Sequence, residues 1–233
     1  MENDIPREIA ATVLRCRRLE TFGRNHAMIY EIRTYTLAPR MQDEVEKRWG
    51  AAYPARKKYS DISGFFHTEF GQLNQVISIW PYADLNERMR LRAESAKDPG
   101  WPPEIAEFIV HQQVEILVPF DFVPEWKPGK DGPYYELRQY TFRPGTLPQV
   151  SQNWQTSLPE RMKFSKPAII GSIEMGPTVN SFIHLWAYPT LEARDEARTG
   201  AGKTGMWPPA GGKELYLSQQ NKLLMPAKFS PAQ

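Results

Sequence analysis

The sequence predicts an α+β fold made of two tandem ferredoxin-like modules, each β-α-β-β-α-β, docked sheet to sheet. Three observations carry this. The first is an internal repeat: Tyr30-Glu31-Ile32-Arg33-Thr34-Tyr35-Thr36-Leu37, followed by Pro39, returns as Tyr135-Glu136-Leu137-Arg138-Gln139-Tyr140-Thr141-Phe142 and Pro144, an offset of 105 residues. The register persists through Trp49 and Trp154, Pro54 and Pro159, Arg56 and Arg161, and Gly71 and Gly176, and shifts by one residue by Trp80 and Trp186, Arg88 and Arg194, and Trp101 and Trp207. Self-similarity over about a hundred residues means two homologous units. The second observation is the segment between them, where Pro119, Pro124, Pro128, Gly129, Gly132 and Pro133 crowd together and exclude both helix and central strand. The third is the order of periodicities inside each unit.

Met28 to Leu37 alternates and is rich in Ile, Tyr and Thr, which predicts a strand. A helix follows from Pro39 to about Tyr59, with Met41, Val45, Trp49 and Ala52 at helical spacing. Two strands, 64–70 and 75–82, flank the hairpin-like Gly71-Gln72-Leu73-Asn74. Asp84 is a suitable N-cap for a second helix to about Ala96. Asp98-Pro99-Gly100-Trp101-Pro102-Pro103 must then be a loop, and a last strand spans about 111–118. Helices cover one face of such a four-stranded sheet, so the other face needs a partner, which the second copy supplies. The expected organisation is an N-terminal appendage (1–27), module one (28–120), a linker (121–133), module two (134–227) and a tail (228–233).

Composition narrows the function classes. The chain has 233 residues, 29 Lys+Arg against 27 Asp+Glu and a net charge of +2, with no basic stripe, so a nucleic-acid partner is not expected. No stretch approaches the length of a membrane span. Cys16 is the single cysteine, which suits a reducing, cytoplasmic setting. Residues 1–27 lack the apolar core of a secretory signal, and acidic residues among the arginines argue against a mitochondrial presequence; Met28 offers an alternative translation start. His26, His67, His111 and His184 are too scattered for a metal motif, and the chain has no G-x-S-x-G, Walker A, G-x-G-x-x-G or C-x-x-C pattern. Aromatic residues make up 12% of the chain, with seven tryptophans, a composition suited to small-molecule pockets.

Strand alternation separates the sheet faces. Ile77 and Ile79 oppose Val76, Ser78, Trp80 and Tyr82, and Ile183 and Leu185 oppose Phe182, His184, Trp186 and Tyr188. Assigning the aliphatic row to the helices places the polar and aromatic row between the two sheets. The expected cavity then holds His67, Glu69 and His184 as candidate bases, Arg33 and Arg138 to stabilise negative charge, and Tyr35, Ser78, Trp80, Tyr140 and Trp186 as ligand contacts. The competing account makes the charged groups structural, with Glu31 paired to Arg138 and Glu136 to Arg33 across the pseudo-twofold axis.

The run Tyr30 to Leu37, Gly71-Gln72-Leu73-Asn74 with Ile79-Trp80-Pro81-Tyr82, then Glu87-Arg88, Arg92 and Asp98-Pro99-Gly100-Trp101, resembles the NIPSNAP domain, and the likeness spans both halves. Module two departs from the pattern at Gly176-Pro177-Thr178-Val179-Asn180 and at Thr204-Gly205-Met206-Trp207. The resemblance implies a dimeric α/β-barrel architecture related to small cofactor-free monooxygenases and to some haem-binding barrels, without fixing a reaction. Three function classes follow. One is binding of an aromatic or polyketide-like molecule without a cofactor, with proton transfer or oxygenation as the chemistry. The second is a haem barrel using one of His67, His111 or His184, and the third an interaction protein, with a homo-oligomer as one form of partner.

Overall fold

The computed structural model describes residues 28–233; the appendage, with Cys16 and His26, lies outside the described residues. Module one contains β1 (Ile29–Leu37), α1 (Gln42–Lys57), β2 (Gly64–Phe70), β3 (Gln75–Tyr82), α2 (Leu85–Ser95) and β4 (Ile109–Pro119). Module two repeats them as β5 (Tyr134–Phe142), α3 (Leu147–Arg161), β6 (Pro167–Met175), β7 (Ser181–Tyr188), α4 (Leu191–Lys203) and β8 (Tyr216–Pro226), with a short α5 (Gly212–Leu215) before the last strand.

Local chemistry explains the boundaries. The Asp84 side chain accepts from the Glu87 backbone N–H, one of the orphan donors at the start of α2, and Glu87 Oε2 reaches back to accept from the Ala83 N–H just before the cap. Thr190 caps α4 in the same way through the Ala193 N–H. The β2–β3 connection ends on Asn74 at φ 56°, and the differently composed β6–β7 connection ends on Asn180 at φ 52°. Asparagine tolerates that left-handed conformation, so two dissimilar turns deliver β3 and β7 alike.

The halves meet edge to edge. Each module has strand order β4-β1-β3-β2 or β6-β7-β5-β8, and β2 pairs with β8 while β4 pairs with β6, closing one eight-stranded barrel. All the pairings are antiparallel.

Closure decides what faces inward, and it reverses the expected assignment. Ile32, Ile77, Ile79, Leu137, Ile183 and Leu185 come from both modules and pack together inside the barrel. An eight-stranded barrel has an interior just wide enough for side chains to fill, which compact aliphatic residues do well. The space between the sheets is therefore packed apolar core over most of its length. Trp80 and Tyr82 instead join Val45, Trp49 and Tyr53 of α1 in a second cluster, and Trp186 and Tyr188 join Val150, Trp154 and Leu158 of α3 in a third.

The linker and the tail are both built into this core. Val123 and Trp126 are buried. The tail returns to module one, where Phe229 stacks on Trp49 with ring centroids 5.4 Å apart and the Ser230 hydroxyl accepts from the Phe65 N–H at 3.0 Å. Among the described residues no helix is long and apolar enough to cross a membrane.

Candidate functional site

With the aliphatic row inside the barrel, the polar row lies between sheet and helices, once in each half. Each strand carries its own ladder. Arg33 donates from Nη1 to Glu31 at 2.8 Å and from Nε to the Tyr35 hydroxyl at 2.9 Å. Arg138 repeats this with Glu136 at 2.8 Å and Tyr140 at 2.7 Å. Residues two apart on a strand share a face, so the pairs close within a strand. The expected Glu31–Arg138 and Glu136–Arg33 pairs across the halves are not formed, because those residues face away from the other module.

The helices add cations to these ladders. Glu31 also meets Arg88 at 2.5 Å and Arg92 at 3.7 Å from α2, and Glu136 meets Arg194 at 2.6 Å and Arg198 at 3.6 Å from α4. Burial pushes the Glu136 carboxyl upward, but the Arg194 bond and the charges of Arg138, Arg194 and Arg198 hold it below its ordinary value. Glu31 is held down likewise against burial, by the Arg88 bond and its three arginines.

A fourth arginine in each half pairs with no carboxylate among the described residues. Arg56 and Arg161 are each only 2% exposed. Arg56 lies over the Trp80 ring at 4.3 Å, and Arg161 over Trp186 at 4.4 Å. Each donates to a buried tyrosine, Arg56 to Tyr82 at 3.0 Å and Arg161 to Tyr188 at 2.9 Å. Burial lowers the pKa of both guanidinium groups, with Tyr82 and the more distant Glu31 acting in the opposite direction on Arg56, and Tyr188 and Glu136 on Arg161. A buried cation without an anion costs several kcal/mol. In a chain of net charge +2, four arginines around one carboxylate in each half is a local excess of positive charge.

Both groups open onto cavities. The second-half cavity, about 710 Å³, is lined by Arg138, Arg161, Arg198 and His184 with walls that include Trp154 and Trp207. The first-half cavity, about 290 Å³, is lined by the counterparts Arg33, Arg56 and Arg92, with Ser78 where the other has His184.

The indole of the following tryptophan sets the state of that variable residue. Trp186 Nε1–H donates to His184 Nδ1 at 2.6 Å. Indole is a donor only, so Nδ1 is the acceptor and the proton of a neutral ring sits on Nε2. That Nε2 is buried without a partner. Burial first, then Arg138, Arg161 and Arg198, pulls the His184 pKa well below 6.5. His184 is thus a neutral ring whose Nε2–H is left to donate. In the first half Trp80 Nε1–H donates to Ser78 Oγ at 3.0 Å, leaving the hydroxyl proton to donate onward.

This state has a pH signature. Unfolded, His184 titrates near pH 6.5, so below that pH the unfolded chain takes up a proton the folded chain refuses. Stability should fall as pH drops from about 6.5, by up to about 1.4 kcal/mol per pH unit for one proton. Glu31 and Glu136, held low when folded, lose stability only in a more acidic window, below about pH 4.5. In urea melts at about pH 7.5, 6.5 and 5.5, His184→Gln should remove the upper phase. Parallel pH dependences of variant and wild type would show that His184 titrates normally.

The structure brings Arg33, Tyr35, Ser78 and Trp80 together in one half and Arg138, Tyr140 and His184 in the other, with Trp186 beneath Arg161. It does not bring in His67 and Glu69. His67 Nδ1 lies 2.6 Å from Glu46 of α1, Glu69 is exposed, and neither lines the two cavities. An axial haem ligand needs a free Nε2 lone pair facing a cavity. His184 carries its proton there, His67 lies outside both cavities, and His111 is exposed on β4, so none of the three fits. Sequence reasoning missed Arg56, Arg161, Arg92 and Arg198 as site residues. The signal was present: Arg56 and Arg161 recur in register, beside the recurring tryptophans. It also missed Glu115 and Lys222 inside one end of the barrel. Burial pushes Glu115 up and Lys222 down, and each bonds to a glutamine, Gln139 and Gln75.

Comparison with known proteins agrees with this architecture. A NipSnap homolog of Dictyostelium discoideum is 29% identical over 207 residues, covering 86% of this chain and 88% of that protein. Human NipSnap homolog 3B is 29% identical over 213 residues, covering 87% and 85%. The crystal structure of a monooxygenase candidate from Lactobacillus acidophilus superposes with a TM-score of 0.63 over 86% of this chain and 94% of its own, at 15% identity, a likeness of fold. The NIPSNAP family model matches twice, over residues 30–124 and 135–231. The chain belongs to the NIPSNAP family.

Proposed function

We propose that the second-half cavity binds a small aromatic or polyketide-like molecule through an acidic oxygen. The observation that supports this reading is that the cavity is lined both by Arg161, a buried guanidinium that pairs with no carboxylate among the described residues, and by a neutral His184 whose buried Nε2–H has no partner. Both are donors prepared for negative charge, and an anion between them offsets the cost of burying them. Trp154, Trp207, Tyr140 and Tyr216 supply flat apolar walls, and about 710 Å³ falls within the usual ligand-pocket range of about 300–1,000 Å³.

Proton transfer and cofactor-independent oxygenation both pass through an anion on the bound molecule. The contribution of this cavity to either is to hold that anion; a base from His67 or Glu69 would have to come from outside it. The test is a thermal-shift panel of aromatic carboxylates and enolisable ketones, each with a neutral isostere, such as benzoate with benzamide. Stabilisation by the acids and not by their isosteres is expected. Equal shifts for both members of every pair, or none for any compound, would overturn the reading.

A further inference from the structure

We propose that the first-half cavity is a second and independent site, which takes a small oxyanion, a phosphate or carboxylate group, on Arg56 and Ser78. The proposal does not require the second-half cavity to bind anything. It stands on Arg56 Nη1, a guanidinium nitrogen buried with no hydrogen-bond partner on a side chain that lines the cavity. The other terminal nitrogen, Nη2, is committed to Tyr82, and the guanidinium plane is held over Trp80 with Trp101 6.0 Å away. The group is therefore pinned in orientation, and its free N–H bonds are not satisfied by the fold.

Ser78 adds a second donor. Its oxygen already accepts from Trp80 Nε1–H, so the hydroxyl hydrogen is the part left to use. Arg33 and Arg92 complete the positive lining, with Glu31 shared among them and Arg88. An oxyanion suits this set because a guanidinium edge and a hydroxyl can both donate to one group. Size argues for a small occupant: the cavity is about 290 Å³, under half of its counterpart. Exchanging Ser78 for the imidazole of His184 also changes the donor, so the two sites should prefer different ligands.

The indole N–H groups offer a separate reporter for each cavity, Trp80 for the first and Trp186 for the second. In ¹H–¹⁵N spectra of the full chain, titration with inorganic phosphate and, separately, acetate should move the Trp80 indole resonance along a saturating curve for at least one of them. The preferred anion identifies the class. Arg56→Met should weaken that curve at least tenfold, about 1.4 kcal/mol, with the Trp186 resonance at its wild-type position as evidence of an intact fold. Arg56→Lys should retain part of the affinity, and Arg92→Gln, at the more exposed edge, should lose several-fold. A Trp80 resonance that neither anion moves overturns the proposal, as does saturation unaffected by both Arg56→Met and Arg92→Gln. Changes confined to Trp186 would overturn it while leaving the second-half reading intact.

Discussion

Glu136→Gln is expected to destabilise the chain by about 3–5 kcal/mol, the range for breaking a buried ion pair by removing one partner. Glu136 is 1% exposed and receives Arg138 at 2.8 Å, Arg194 at 2.6 Å and Asn221 at 2.9 Å, with Arg198 3.6 Å away. Glutamine keeps the shape and can leave an acceptor at the Oε1 position, where all three bonds end, but it sets an amide N–H group toward Arg198 and removes the negative charge that the three arginines share. The exposed helix pair Arg90–Glu94, at 3.3 Å, is the control: Glu94→Gln should cost less than about 1 kcal/mol. Urea unfolding of both variants checks the contrast. A loss below about 1 kcal/mol at Glu136 would mean that the arginines are compensated from elsewhere.

Arg161→Met should do the opposite to stability and remove binding. Met retains much of the packing against Trp186 and Trp207, where the guanidinium carbon now lies 4.4 Å and 5.8 Å from the ring centroids. The variant loses hydrogen bonds to Tyr188 and Ser165 but also sheds a buried charge that pairs with no carboxylate among the described residues, so the ligand-free stability should stay within about 1 kcal/mol of wild type or rise. At a hundred times Kd a ligand stabilises the wild type by about 2.7 kcal/mol, roughly 5–10 °C in Tm for a chain of this size. Arg161→Met should show almost none of that shift with the same carboxylate. Equal shifts in both proteins would place the anion elsewhere.

How much of this was legible in the sequence depended on the range of the interaction. The repeat, the strand and helix order and the Asp84 cap are written in local spacing, so alternation and turn chemistry reach them. Alternation also separated the two faces of β3 and β7 correctly. It could not say which face was concave. An aliphatic row suits a helix-packed surface as well as a barrel interior, and only closure through β2–β8 and β4–β6 decides between them. The same ambiguity hid the cations of α2 and α4, since Arg88 with Arg92 and Arg194 with Arg198 read as solvated helix faces until a sheet carboxylate lies opposite. His184 was a candidate from sequence and lines the larger cavity, but its role depends on which ring atom the Trp186 indole meets, a three-dimensional fact. His67 and Glu69 share a strand face as expected, yet Glu46 from α1 engages His67.

The most direct test of the account is the protonation of His184, read by ¹⁵N NMR of histidine-labelled protein with and without the carboxylate that stabilises it most in the thermal panel. A neutral ring is expected at pH 7, with Nδ1 unprotonated and Nε2 protonated. The Nε2–H should shift on ligand addition, and Arg161→Met should abolish that shift. A ring protonated on Nδ1, an imidazolium at pH 7, or an Nε2–H indifferent to every stabilising ligand would contradict it.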